Sequence, residues 1–200
     1  QIELGYRVGE IDLSKPSAEA LERVKVLAEE NGGKDQLHDW AADRLVPDCL
    51  RALAKREPVR LRYPNAVRPW QHVLEPLSGY LRLAEHLCSE DGGRYADAWN
   101  FGPDTDGDAT LGDVAALTAR LWGDGVRVET STDTNHPHEA GFLRLDTTKA
   151  RDELGWRPRW TLERALKQTV AWHRAWMAGD DMVRVCHRQI DEYEASREVH

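Results

Sequence analysis

Arg68 is the residue of this chain best placed to act on an anion. It follows Pro64-Asn65, a dipeptide that turns the chain out of the short alternating run Arg60-Leu61-Arg62-Tyr63, and it precedes Trp70 and Pro76. A guanidinium there can fork two donors onto a phosphate; the plain alternative is a surface arginine paired with a carboxylate. Two other patterns suggest metal ligation and do not sustain it. Asp104, Asp106 and Asp108 alternate like the start of an EF-hand loop, but its sixth position is Ala109 rather than glycine and its twelfth is Ala115 rather than glutamate. His136-Pro137-His138 is an H-x-H pair with no cysteine nearby and no third ligand at a recognisable spacing, which fits a solvated loop. No metal site is expected.

The elements that would position Arg68 follow from periodicity. The run around it predicts a strand over 58–63, then a loop, then a helix over 76–88 with Pro76 in its first turn. In that helix Leu77, Tyr80, Leu81, Ala84, Leu87 and Cys88 recur on one face, the stripe expected to anchor it. Further helices are predicted near 43–55 and over 111–122, 147–154, 161–177 and 182–195, with strands at 97–101 and 126–130. Thr161 is the expected N-cap and Gly179 the expected C-terminal stop of the 161–177 helix. The Gly-, Asp- and Thr-rich stretch 102–110 is the expected mobile loop. At the front of the chain, 2–12 alternates weakly like a strand, and 17–30 carries Ala20, Leu21, Val24, Leu27 and Ala28 on one helical stripe.

Several of these segments carry a resemblance. Arg68-Pro-Trp-Gln-His-Val-Leu-Glu-Pro-Leu-Ser-Gly-Tyr80 resembles the signature of the CDP-glucose 4,6-dehydratases, within the extended short-chain dehydrogenase/reductases. Asp39-Trp40 through Asp48 resembles the entry to that family's substrate domain. Ala98-Trp-Asn-Phe-Gly-Pro103 resembles a later strand whose asparagine faces the sugar nucleotide. His138-Glu-Ala140, Leu145-Asp-Thr-Thr-Lys149 and Leu154-Gly-Trp-Arg-Pro158 resemble its last βα unit, and Gln189 to Glu194 its terminal helix. Five matches in order, over about residues 39 to 194, are far more specific than any one. The resemblance implies a substrate site of Arg68 on the diphosphate, Asn100 on sugar or phosphate, His138 and Glu139 on the nucleotide, and Trp40 and Trp70 beside the ligand. For each there is a plainer role: a salt-bridging arginine, a turn asparagine, a capping or solvated polar pair, and core tryptophans. The complete family, so resembled, is an NAD-dependent lyase. It oxidises CDP-glucose at C4, removes the C5 proton, expels the C6 hydroxyl as water and returns the hydride to C6.

Two parts of that machinery are missing from the sequence. No G-x-G-x-x-G or G-x-x-G-x-x-G follows a predicted strand, so nothing brings a backbone close to a pyrophosphate at a helix N-terminus. There is no Tyr-x-x-x-Lys: the residues four after Tyr6, Tyr63, Tyr80, Tyr95 and Tyr193 are Glu10, Val67, Ala84, Trp99 and Arg197. The expected fold class is therefore α/β, the helix-rich substrate-binding portion of an extended short-chain dehydrogenase/reductase, with an incomplete or absent Rossmann domain. Residues 1–38 are expected as a βα appendage or a remnant of the dinucleotide-binding domain, and 39–200 as the nucleotide-sugar-binding domain. NAD is expected in the complete family and not on this chain. Catalytic residues are not assigned, and the chain is expected to be inactive alone.

Composition narrows the setting. Against 27 lysines and arginines stand 35 aspartates and glutamates, a net charge of −8 that argues against a general nucleic-acid surface. No apolar run reaches the roughly 18 residues of a membrane helix, and no secretory-type leader opens the chain, so a soluble cytoplasmic protein is expected. Cys49, Cys88 and Cys186 are odd in number and widely spaced, which reads as reduced thiols, two of them on apolar helical faces. Expected partners are CDP-glucose or a related nucleotide sugar, with a homodimer or a complementing NAD-binding chain as protein partner. The readings that compete with a dehydratase-like chain are a non-catalytic cytidine nucleotide-sugar-binding module and an interaction protein that keeps only the fold.

Overall fold

Helix α1 (Leu45–Ala54) buries Cys49, Leu50 and Leu53 on one side, at a spacing of one to four residues that matches a helical stripe. The computed structural model describes residues 44–104, 107–123, 125, 127–130 and 141–196. Trp40, His136, His138, Glu139 and the 1–38 segment lie outside the described residues. Strand β1 (Val59–Leu61) follows α1 and buries Val59 and Leu61 while Arg60 is exposed, the period of a half-buried strand. It pairs in parallel with β4 (Val128–Thr130), Val59 opposite Val128. Helix α3 (Leu111–Trp122) lies between them in sequence and supplies Ala115, Ala119 and Trp122 to the same core, with Val170 of α5 (Leu162–Ala178) closing it.

A second core sits under α2 (Leu74–Leu87) and is built from Phe101, Ala150, Leu154 and Trp156, with Leu83, Tyr95 and Trp99 at its edge. Ala150 and Leu154 come from the short helix α4 (Thr148–Leu154), which ends at Gly155 in the left-handed region. Strand β2 (Val67–Pro69) pairs antiparallel with β3 (Asp108–Thr110), Arg68 opposite Ala109. Helix α6 (Met182–Glu194) is capped by Asp181, whose carboxylate accepts from the N–H groups of Val183 and Arg184, and it packs on α5.

Among the described residues each predicted helix is present within a few residues, and α3 has the predicted bounds; the helix expected over 17–30 lies outside them. Thr161 caps α5 by accepting from Arg164 N–H, and Gly179, at φ 77°, ends it. Four expectations fail. Residues 97–101 form no strand; the segment is held through side chains and single carbonyls, Phe101 packing on Trp156 and its carbonyl accepting from Gln71. The stretch 102–110 ends in a strand, β3, because Trp70 N–H donates to Gly107 and the indole of Trp70 donates to Ala109. The α2 stripe is not the anchoring face: Tyr80 and Leu81 are 58% and 69% exposed, and Leu77 and Leu87 are also exposed. The helix is seated on the other side, on Glu75 and Gly79. Accordingly Cys88 at its end is exposed, whereas Cys49 is buried and Cys186 half-buried. Among the described residues no helix is long and apolar enough to cross a membrane.

Candidate functional site

Arg68 occupies the middle of a three-residue strand that is held on both edges. On one side β3 pairs with it; on the other Val67 N–H donates to the Gly141 carbonyl at 2.9 Å and Leu143 N–H donates to the Val67 carbonyl at 3.1 Å. The predicted loop around Arg68 is thus a short central strand, which fixes where the guanidinium starts. The guanidinium itself is half-buried and donates through Nη1 to the Val67 carbonyl at 2.8 Å, one of its interactions.

Two neighbours tie this strand to Asn100. Trp70 is half-buried, and its indole N–H donates to Ala109 O at 3.0 Å, locking β2 to β3. Gln71 Nε2 donates to Phe101 O at 2.8 Å, so the residue after Asn100 is clamped to the residue three after Arg68. Asn100 is exposed and donates through Nδ2 to Asp146 O at 3.2 Å. Beside it, Lys149 reaches Asp97 Oδ2 at 2.5 Å and lies 4.3 Å from the Trp99 ring centroid. This pairing keeps the exposed Asp97 carboxyl below the usual range, the Lys149 hydrogen bond being the main cause. The structure therefore brings Arg68, Asn100 and Trp70 into one hydrogen-bonded frame. Gln71 was inside the sequence motif but was not singled out, since its partner lies 30 residues away.

The frame rests on a buried carboxylate. Glu75, 0% exposed, accepts the N–H groups of Arg159 and Trp160 at 2.8–3.1 Å and the Tyr193 hydroxyl at 2.6 Å. Burial pushes its carboxyl above the ordinary range, while these donors pull the other way. The Tyr193 hydroxyl also lies 2.9 Å from Ser78 Oγ, which accepts from the Trp156 indole N–H. Desolvation holds Tyr193 protonated far above its ordinary value, so it is a fixed donor and no proton acceptor. His72 accepts Leu74 N–H at Nδ1, packs with its ring centroid 4.9 Å from that of Trp160 at a 58° tilt, and is driven by burial down to about 4, hence neutral at pH 7. Neither Glu75 nor His72 announces itself in sequence, because the donors to Glu75 and the ring that packs on His72, Trp160, lie far along the chain.

The described strand that runs directly into a helix is β3 into α3, and that N-terminus is already served by Thr110 Oγ1, which accepts Asp113 N–H at 3.0 Å. Gly112 at this junction is small for packing, since a Cβ there would lie 3.1 Å from Pro64 O. An acidic first turn and an occupied cap suit no pyrophosphate. Among the described residues there is also no group of three metal-ligating side chains.

No family model matches the chain. It is 45% identical, over 155 residues, to the CDP-glucose 4,6-dehydratase of Salmonella typhimurium, a match that covers 78% of this chain and 43% of the relative. The chain thus spans less than half the length of the curated relative it matches. Its fold is shared with dTDP-glucose 4,6-dehydratase from Bacillus anthracis, solved with NAD, at a TM-score of 0.54 and 22% identity over 66% of this chain and 39% of that one. UDP-glucose 4-epimerase from Thermotoga maritima, solved with UDP-glucose, gives 0.52 and 23% over 66% and 40%.

Proposed function

We propose, for a chain related in sequence to the CDP-glucose 4,6-dehydratases and sharing the fold of extended short-chain dehydrogenase/reductases, that it is a nucleotide-sugar-holding piece of such a dehydratase, inactive alone. The observation that carries this reading is Arg68 set at the centre of a doubly held strand and clamped through Gln71 to the Asn100 segment. In this reading Arg68 forks two donors onto the diphosphate and Asn100 exchanges its bond to Asp146 O for a sugar or phosphate oxygen. Trp70 holds the strand, and His138 and Glu139 reach the nucleotide, with Trp40 beside it.

Turnover needs more than this. Hydride removal from C4 requires a nicotinamide, which supplies the hydride acceptor when bound, and a base at the C4 hydroxyl. The sequence has neither a glycine-rich cradle nor a Tyr-x-x-x-Lys. Tyr193 cannot substitute, being a buried donor to Glu75, and Lys149 is committed to Asp97. Binding without proton transfer gives no dehydration. Activity in this reading requires a cofactor-binding part that these residues do not supply.

The test is calorimetric titration of CDP-glucose into the chain and into Arg68→Ala. Loss of a charge-assisted pair is expected to weaken binding about 10- to 100-fold. Equal affinity of the two proteins would remove Arg68 from the site.

A further inference from the structure

The segment 97–102 forms no strand, yet it is held against the run 145–149 at three levels. A Cβ on Gly102 would lie 3.0 Å from Leu145 Cβ, and Asn100 Nδ2 donates to Asp146 O at 3.2 Å. Lys149 Nζ donates to Ala98 O at 3.3 Å and to Asp97 Oδ2 at 2.5 Å. Asn100 is exposed and lies between the two outer attachments. In the function proposed above, its bond opens when the amide leaves Asp146 O for a ligand oxygen. The segment is then kept in place by Lys149 on one side of Asn100 and by the Gln71–Phe101 bond on the other.

The Lys149 attachment is poorly suited to supplying stability. Its side chain is 35% exposed and that of Asp97 66%, and an ion pair so open to water contributes little to folding. Its geometry, by contrast, is specific. The ammonium lies 4.3 Å from the Trp99 ring centroid and donates to the two residues before it, so one cation engages the three residues that lead into Asn100. Trp99 is itself held, its indole N–H donating to Tyr95 O at 2.9 Å. At the facing turn Asp146 accepts Thr148 N–H at 2.9 Å, which fixes the start of the helix that carries Lys149.

We propose that Lys149 is a positioning residue for nucleotide-sugar binding: by gripping 97–99 it sets the main chain from which Asn100 reaches a sugar or phosphate oxygen. The inference rests on the substrate role proposed above for Asn100, and Lys149 itself touches no ligand.

The test is a double-mutant cycle read by calorimetric titration of CDP-glucose into the full chain, Lys149→Met, Asn100→Ala and the double variant. Lys149→Met is expected to bind about tenfold more weakly than the parent, but to cost less than about twofold when residue 100 is already alanine, the coupling of residues that act through one another. Lys149→Arg, whose guanidinium can meet Asp97, Ala98 O and the Trp99 ring, is expected to restore affinity to within about threefold of the parent. The Tm of Lys149→Met is expected to fall by no more than about 4 °C, as for the loss of an exposed pair. An equal loss of affinity with and without Asn100 would mean that Lys149 acts by its charge alone and would overturn the proposal. Unchanged affinity of Lys149→Met, or a fall in Tm well beyond that limit, would overturn it too. A parent chain that binds no CDP-glucose would overturn the substrate reading of Asn100 and this role with it.

Discussion

Tyr193 and His72 show how single groups carry the site's geometry. The Tyr193 hydroxyl bridges Glu75 Oε2 and Ser78 Oγ, at 2.6 and 2.9 Å, and so ties α6 to α2. Tyr193→Phe keeps the ring that packs on Trp160 but leaves a buried carboxylate short of a donor, and it is expected to cost about 1.5–3 kcal/mol in urea unfolding. A change under 0.5 kcal/mol would mean the hydroxyl is not needed there. His72 makes a pH-dependent contribution. Its pKa falls from the ordinary 6.5 to about 4 on folding, so the folded state rejects the proton that the unfolded chain accepts. Its stability is intact above pH 6.5 and is lost as pH falls through the window to 4, at up to about 1.4 kcal/mol per unit. Glu75, raised by burial, acts with the opposite sign as pH rises past its ordinary value, so the two must be separated. The comparison is wild type against His72→Gln: the variant is expected to lose less stability between pH 6.5 and 4.5, and parallel curves would contradict the assignment.

At the scale of elements, α2 depends on one glycine. A Cβ on Gly79 would meet three ring atoms of Phe101, the farthest 2.7 Å away, and Phe101 is itself set edge-on to Trp156 at 5.0 Å. Gly79→Ala gains about 1 kcal/mol of helix propensity and loses about 1–3 kcal/mol to overpacking. Since the ring is buried between two partners, the loss should prevail, with a net destabilisation of up to about 2 kcal/mol by thermal unfolding. Gly93→Ala, where nothing lies within 4 Å, serves as the neutral control. These elements also show what a sequence discloses. Helix α3 was legible to the residue because Thr110 caps it, Gly123 stops it and apolar residues recur between them. Strands β2 and β3 were not, because three residues carry too little periodicity and Asp108-Ala-Thr110 has loop composition. Helix α2 was legible in extent but not in orientation: its apolar stripe faces out, and the buried side is marked by a glutamate and a glycine whose partners lie 22 to 118 residues away. Arg68 is singled out by its motif alone, whereas the hydrogen bond from Gln71 exists only once the fold brings Phe101 to it.

For the molecule as a whole, the match to less than half of a dehydratase is the fact that the function must accommodate. What the described residues provide is a scaffold of two cores, one under the parallel β1–β4 pair and one under α2, with Arg68 on a strand and Asn100 exposed near the second core. In the proposed reading that scaffold holds a substrate, and the sequence contains no Tyr-x-x-x-Lys. The deciding measurement is a parallel titration of the purified chain with CDP-glucose and with NAD, read by calorimetry and followed by an assay for the 4-keto sugar. The account predicts saturable CDP-glucose binding, no NAD binding and no keto product. Saturable NAD binding with formation of the keto sugar, or no response to CDP-glucose, would contradict it.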